Sequence, residues 1–136
     1  KKNKNKIIKI AISSTIISFI FAIIYFLIFY LFIDNIIILM TSINSVIVET
    51  QNYALWIIVS PLISFLSFQM DGIFIGANKT RIMRNTVIIS FIIFIISLFI
   101  LVPIYENNGL WLSFILFLFL RGVLLVTRFK EIFNFN

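Results

Sequence analysis

The chain has 136 residues, of which 62% are hydrophobic and 12% charged, with eleven Lys and Arg against five Asp and Glu. Its mean hydropathy of +1.16 and scarcity of charge exclude an ordinary soluble domain, where about a quarter of residues are charged. With no His and no Cys, imidazole and thiol catalysis, zinc sites and disulfides are excluded, and five acids without a Gly-rich phosphate loop or a GxSxG elbow argue against an enzyme.

The opening stretch, "KKNKNKIIKIAISSTIISFIFA", has the basic start and apolar core of a signal peptide. Its apolar run continues to Ile33, beyond the usual 7–15 residues, so it reads as a retained first helix. A chain beginning on lysine also reads as the downstream part of a longer polypeptide. A helix needs about 20 apolar residues to cross a bilayer core of roughly 30 Å. Ile10 to Ile33 carries no charge, nor do Thr50 to Met70 or Asn85 to Tyr105, while Asn107 to Thr127 contains only Arg121. None of these runs alternates as barrel strands do, and lipid leaves a backbone no partner but its own helix. The expected fold is an all-α integral membrane protein with spans at about 7–33, 50–76, 85–104 and 109–128.

Between the first two spans, "DNIIILMTSINSVIVETQNY" predicts an interfacial elbow over 34–49. Asp34 is expected to cap a short turn, and Ser42 or Asn44 a helix running on into the second span, which is expected to kink at Pro61. "IYENNG", Tyr105 to Gly109, predicts a tight turn. The cations fall in three clusters, Lys1 to Lys9, Lys79 to Arg84 and Arg121 to Lys130. The intervening loops hold Asp34, Glu49 and Glu106 and no cation. Because cytoplasmic loops retain Lys and Arg, this places both termini inside, and it explains the net charge of +6 without a nucleic-acid partner.

Within the second span, Ser60, Ser64, Ser67 and Asp71 recur at intervals of four, three and four and share one helix face. Serines alone there bond their own backbone or allow close packing. Asp71 in line with them suggests a polar cavity stripe, since intramembrane acids face a partner or a wet cavity. Arg121 lies seven residues before Arg128, and Asp71 eight before Lys79. Both charges therefore sit roughly 10–12 Å inward from a basic boundary. Two readings stand: an Asp71–Arg121 pair, or an Arg121 that snorkels alone to the headgroups. Gly72 and Gly76 form a small-xxx-small pair that lets a neighbouring helix approach, and Ala11, Ser14, Ser18, Ala22 and Tyr25 line one face of the first span, again for packing.

"DGIFIGANKTRIMRN", followed by a span and then "NNGLWLSFILFLFLRG", resembles the DinF-like branch of the multidrug and toxic compound extrusion (MATE) transporters. The likeness is specific from Tyr53 to Arg128 and rests on order and hydropathy from Ile7 to Ile33. It implies that the chain corresponds to helices nine to twelve, part of a six-helix lobe in a twelve-helix antiporter that exports organic or cationic compounds in exchange for protons or sodium. The implied partners are the remainder of the transporter, the lipid bilayer, an organic substrate and a coupling cation, with no cofactor and no bound metal. Several members of that family hold a cation on an acid near the middle of the tenth helix, where this sequence has Ser64. The family's proton-linked acid belongs to a first helix outside this chain. On this reading Asp71 either carries an ion or proton or stabilises the lobe. Two other hypotheses are a self-contained four-helix small multidrug exporter, whose mechanism needs an acid in its first helix that Ile10 to Ile33 lacks, and a non-transporting structural or remnant membrane polypeptide.

Overall fold

The computed structural model describes residues 2–133 and is helical throughout, with no strand among the described residues. The elements in chain order are α1 (Lys2–Met40), α2 (Asn44–Asn52), α3 (Ala54–Gly76) and α4 (Thr80–Thr127), followed by a 3-10 turn at Phe129–Phe133. Three of them, α1, α3 and α4, are long and apolar enough to cross a membrane. Their outward faces are correspondingly rich in exposed side chains such as Leu31, Phe68 and Phe99. Such surface is stable against lipid tails, which are as apolar as the side chains themselves.

As one straight rod, the 48 residues of α4 would measure about 72 Å, more than twice a bilayer core. The rod is broken at Glu106, whose backbone is non-helical with φ 52° and ψ −129°. Beyond the break the chain returns on itself. The Phe94 and Phe117 rings lie 5.8 Å apart, whereas 23 residues of continuous helix would separate them by roughly 35 Å. A Cβ on Gly109 would stand 2.2 Å from the Leu101 carbonyl oxygen, so the hairpin closes there only because the residue is glycine. Pro103, without an N–H to donate, precedes the break. The left-handed residue of the turn is Glu106, although the Asn-Asn-Gly that follows is the stronger turn signal in sequence. Trp56 Nε1 donates to Asn108 Oδ1 (3.0 Å), tying the start of α3 to the hairpin tip.

The connection from α1 to α3 differs from the elbow described above. Asp34 lies inside α1, which continues to Met40, and instead of capping a turn its Oδ1 accepts from Gln51 Nε2 of α2 at 2.8 Å. Neither Ser42 nor Asn44 caps α2: the N-cap residue is Ile43, with no side-chain cap bond. The Thr41 hydroxyl takes the Ile43 N–H instead (3.2 Å), satisfying the turn one step earlier. Nor does α2 run on into α3, because Tyr53 separates them at φ −107° and ψ 5°. Helix α3 itself is continuous across Pro61.

Helix α3 is the hub, packing on α1 along one side and on α4 along another. At its Gly76 end, Met70 and Phe74 meet Leu125 of α4 and Ile132 of the terminal turn in a small apolar cluster, against which Ile7 of α1 also packs. Elsewhere, alongside Ile37, Ile58, Ile115 and Leu118, many buried positions are small: Ala11 and Ala22 in α1, Ser67 in α3, and Thr86, Ser90, Ser97, Gly109, Ser113 and Gly122 in α4. Small residues let helix backbones approach where hydrophobic burial supplies no drive. The hydroxyls of Thr86, Ser97 and Ser113 donate within their own helix, to the Met83, Phe94 and Gly109 carbonyls, each at 2.8 Å, whereas those of Ser67 and Ser90 find no partner among the described residues.

Candidate functional site

Asp71 and Arg121 meet between α3 and the part of α4 beyond the break at Glu106. An Arg121 Nη2 donates to Asp71 Oδ2 in an ion pair whose side chains are 19% and 11% exposed respectively. Of the two arrangements open to Arg121, the structure shows the paired one. The backbone contact beside the pair is made by Gly122, where a Cβ would lie 3.1 Å from the Ser67 amide nitrogen. A side chain at that position would push α4 off α3 and draw the guanidinium away from Asp71.

The pair is incompletely satisfied. Among the described residues, Asp71 Oδ1 and Arg121 Nε are buried without a hydrogen-bond partner, and so is the Ser67 hydroxyl one turn earlier on α3. Taking two charges out of water costs several kcal/mol each before their attraction repays it, and orphaned atoms raise that cost. Chemically, a neutralised acid–base pair in this setting can hold two helices together. Asp71 also retains one oxygen for a proton or a further donor.

The serine stripe is divided between two neighbours. Ser67 and Asp71 are buried at the α4 seam, whereas Ser64 lines a crevice of about 340 Å³ between α1 and α3, beside Tyr25, Pro61 and Phe65. Ser60 donates to its own helix at the Ile57 carbonyl (2.9 Å). Four residues on one face do not form one continuous polar wall here, because α3 is gripped from two directions and the face straddles the boundary.

Gly72 and Gly76 receive no neighbour within the described residues. Nothing there lies within 4 Å of a Cβ built on either, so none of α1, α2 or α4 closes on them. They line an open cavity instead, and the close approach falls to Gly122, one residue after Arg121.

Gln69 is the residue that the sequence reading passed over. Its Nε2 donates to Ser14 Oγ (2.7 Å) and its Oε1 accepts from Ser18 Oγ (2.6 Å), clamping α3 to α1. The signal in the sequence was a polar amide inside the second span; that it faces Ser14 and Ser18 is set by the packing of α3 on α1. Among the described residues, no group of three or more His, Cys, Asp or Glu could hold a metal ion.

A family model described as MatE matches residues 1–101 of the chain. The curated relatives include DNA damage-inducible protein F of Escherichia coli (strain K12), 32% identical over 118 residues, which is 87% of this chain and 25% of that protein. The chain thus spans about a quarter of the length of the relative it matches. No solved structure matches it. With the model covering well over half of a chain built from long apolar helices, this is a multi-pass membrane protein of the MatE family, and it is not an enzyme.

Proposed function

We propose that the chain supplies helices nine to twelve of a twelve-helix secondary antiporter that exports organic or cationic compounds in exchange for protons or sodium. The observation that carries this reading is the likeness to DNA damage-inducible protein F along 87% of the chain. In this reading α1, α3 and the two arms of α4, 80–105 and 107–127, are four membrane crossings. The fold-back at Glu106 supports the count, since it divides 48 residues into two lengths that each suit a bilayer. Both termini are cytoplasmic, because every Lys and Arg then lies at or near the inner side. The remainder of the transporter supplies the other lobe and the rest of this one.

Within this frame the Asp71–Arg121 pair fastens helix ten to helix twelve near the inner end, and transport chemistry lies mainly elsewhere. A second reading, with Asp71 as a proton carrier, draws on its unpartnered and buried Oδ1.

The deciding experiment uses the full-length transporter in cells, following efflux of a fluorescent organic cation. Cells expressing residues 1–136 alone should show no efflux above background, and cells expressing the full-length protein should. Efflux driven by this chain alone and abolished by Asp71→Asn would overturn the proposal in favour of a self-contained exporter. In the same cells, single cysteines at Ser42 and Thr80, both exposed, report topology: only Ser42→Cys should react with an impermeant thiol reagent applied from outside.

A further inference from the structure

At the basic end of the bundle α1 and α3 leave a cavity of about 520 Å³ between them. Ile7 and Ile10 of α1, Ile73 of α3 and Ile132 of the terminal turn form apolar walls, and Gly72 and Gly76 contribute a stretch of bare backbone. A crevice of about 500 Å³ continues along α1, sharing Ile10 and Ser14 with the first cavity and edged by Lys6 and Lys9. The result is an apolar groove with two cations on its rim.

No carboxylate in the described residues answers those cations. Asp71 pairs with Arg121 and Glu131 with Arg128. Asp34 is bonded to Gln51, and Glu49 and Glu106 lie near the opposite ends of the helices. Lys4 is engaged over the Phe133 ring at 4.8 Å, whereas Lys6 and Lys9 are exposed and enter no ion pair among the described residues.

We propose that this groove binds an anionic phospholipid from the leaflet at the basic end, with an acyl chain along Gly72 and Gly76 and the phosphate held between Lys6 and Lys9. The chemistry fits both halves of the site. A flexible hydrocarbon chain fills an irregular apolar cleft, and basic residues near the membrane surface attract anionic headgroups. Lysine stems reach from the helix to headgroup level while their own methylenes stay against apolar surface. A protein helix in the groove would cover the isoleucines equally well. It would, however, desolvate two ammonium groups with no acid supplied from this side, which is costly.

The test is native mass spectrometry of the full-length protein, released from nanodiscs containing equal phosphatidylglycerol and phosphatidylcholine. Phosphatidylglycerol should be retained preferentially, and the preference should fall by about fivefold for each lysine removed in Lys6→Gln and Lys9→Gln. Gly76→Leu, which fills the cleft, should lower retention of both lipids while leaving the headgroup preference in what remains. Equal retention of the two lipids by the unsubstituted protein would overturn the proposal, as would a preference untouched by the double Lys→Gln variant. A nitroxide on Gly76→Cys in the full-length protein, reconstituted in a bilayer, provides an independent reading. Ready collision with oxygen in the bilayer supports lipid in the groove. An immobilised, oxygen-shielded label means that another helix of the polypeptide fills it, and overturns the site.

Discussion

Helix α3 makes two contacts of opposite character. Against α4 it is tight: Gly122 brings the backbones together beside Ser67, and a charged pair is sealed in the seam. Against α1 it is looser: an amide bridges two serines, and cavities open on either side of that bridge. The difference shows how polar groups hold helices together where lipid provides no hydrophobic drive. A charged pair demands a close-fitting seam, because a residual gap leaves charge without a partner. An amide–hydroxyl link tolerates open space around it, since each neutral group costs less when imperfectly satisfied.

The largest effect expected from this contrast follows from breaking the pair on one side. Arg121→Gln leaves a buried carboxylate uncompensated and should destabilise the full-length protein by about 3 kcal/mol, whereas combining it with Asp71→Asn should recover part of that loss. Pairs inside membranes are often weaker, about 1 kcal/mol, so the sign of the coupling is the decisive result. It is read from unfolding of the purified protein in mixed micelles. Additive losses would mean that the two charges act independently. Intact folding with transport abolished in Asp71→Asn would move the residue from latch to proton carrier.

Next in size is a comparison of two glycines. Gly122→Leu should cost about 1–3 kcal/mol by overpacking, because its Cβ would already press on the Ser67 backbone. Gly72→Leu projects into open space and should leave folding nearly unchanged. Equal destabilisation by the two substitutions would show that the groove beside Gly72 is filled by tightly packed protein in the full-length transporter.

The smallest effect belongs to the looser side. Gln69→Leu removes both bonds to α1 and should cost about 0.6–1 kcal/mol, because Ser14 keeps its bond to the Ala11 carbonyl at 3.0 Å. A loss as large as that from Arg121→Gln would erase the distinction between the two contacts.

Several of these features could be read directly from the residues. Asp71 and Arg121 stood out because an acid and a base inside apolar runs are expensive, and their depths could be counted from the basic boundaries. Gln69 was equally visible but uncharged, and nothing in its own helix indicated that Ser14 and Ser18 would face it. The small-residue rule named Gly72 and Gly76, yet the contact formed at Gly122, because spacing describes which faces permit approach and not which one receives a neighbour. At the elbow, local capping chemistry favoured Asp34, Ser42 and Asn44. The side-chain bonds from Gln51 and Thr41 led elsewhere, and α1 continued to Met40.

The sequence by itself determined the solvent, the helical class and the position of the hairpin near 105–109, because hydropathy, run length and turn chemistry act within a few residues of their cause. It also determined the partition of charge, which is a property of the chain order alone. Only the tertiary structure decided which faces meet: that Asp71 finds Arg121, that Gln69 reaches α1, that the serine stripe divides between two neighbours, and that Gly72 and Gly76 border a groove. Those outcomes depend on how α3 is rotated between α1 and α4. Side-chain volumes and the close approach of Gly122 to α3 settle that rotation, and no local pattern encodes it.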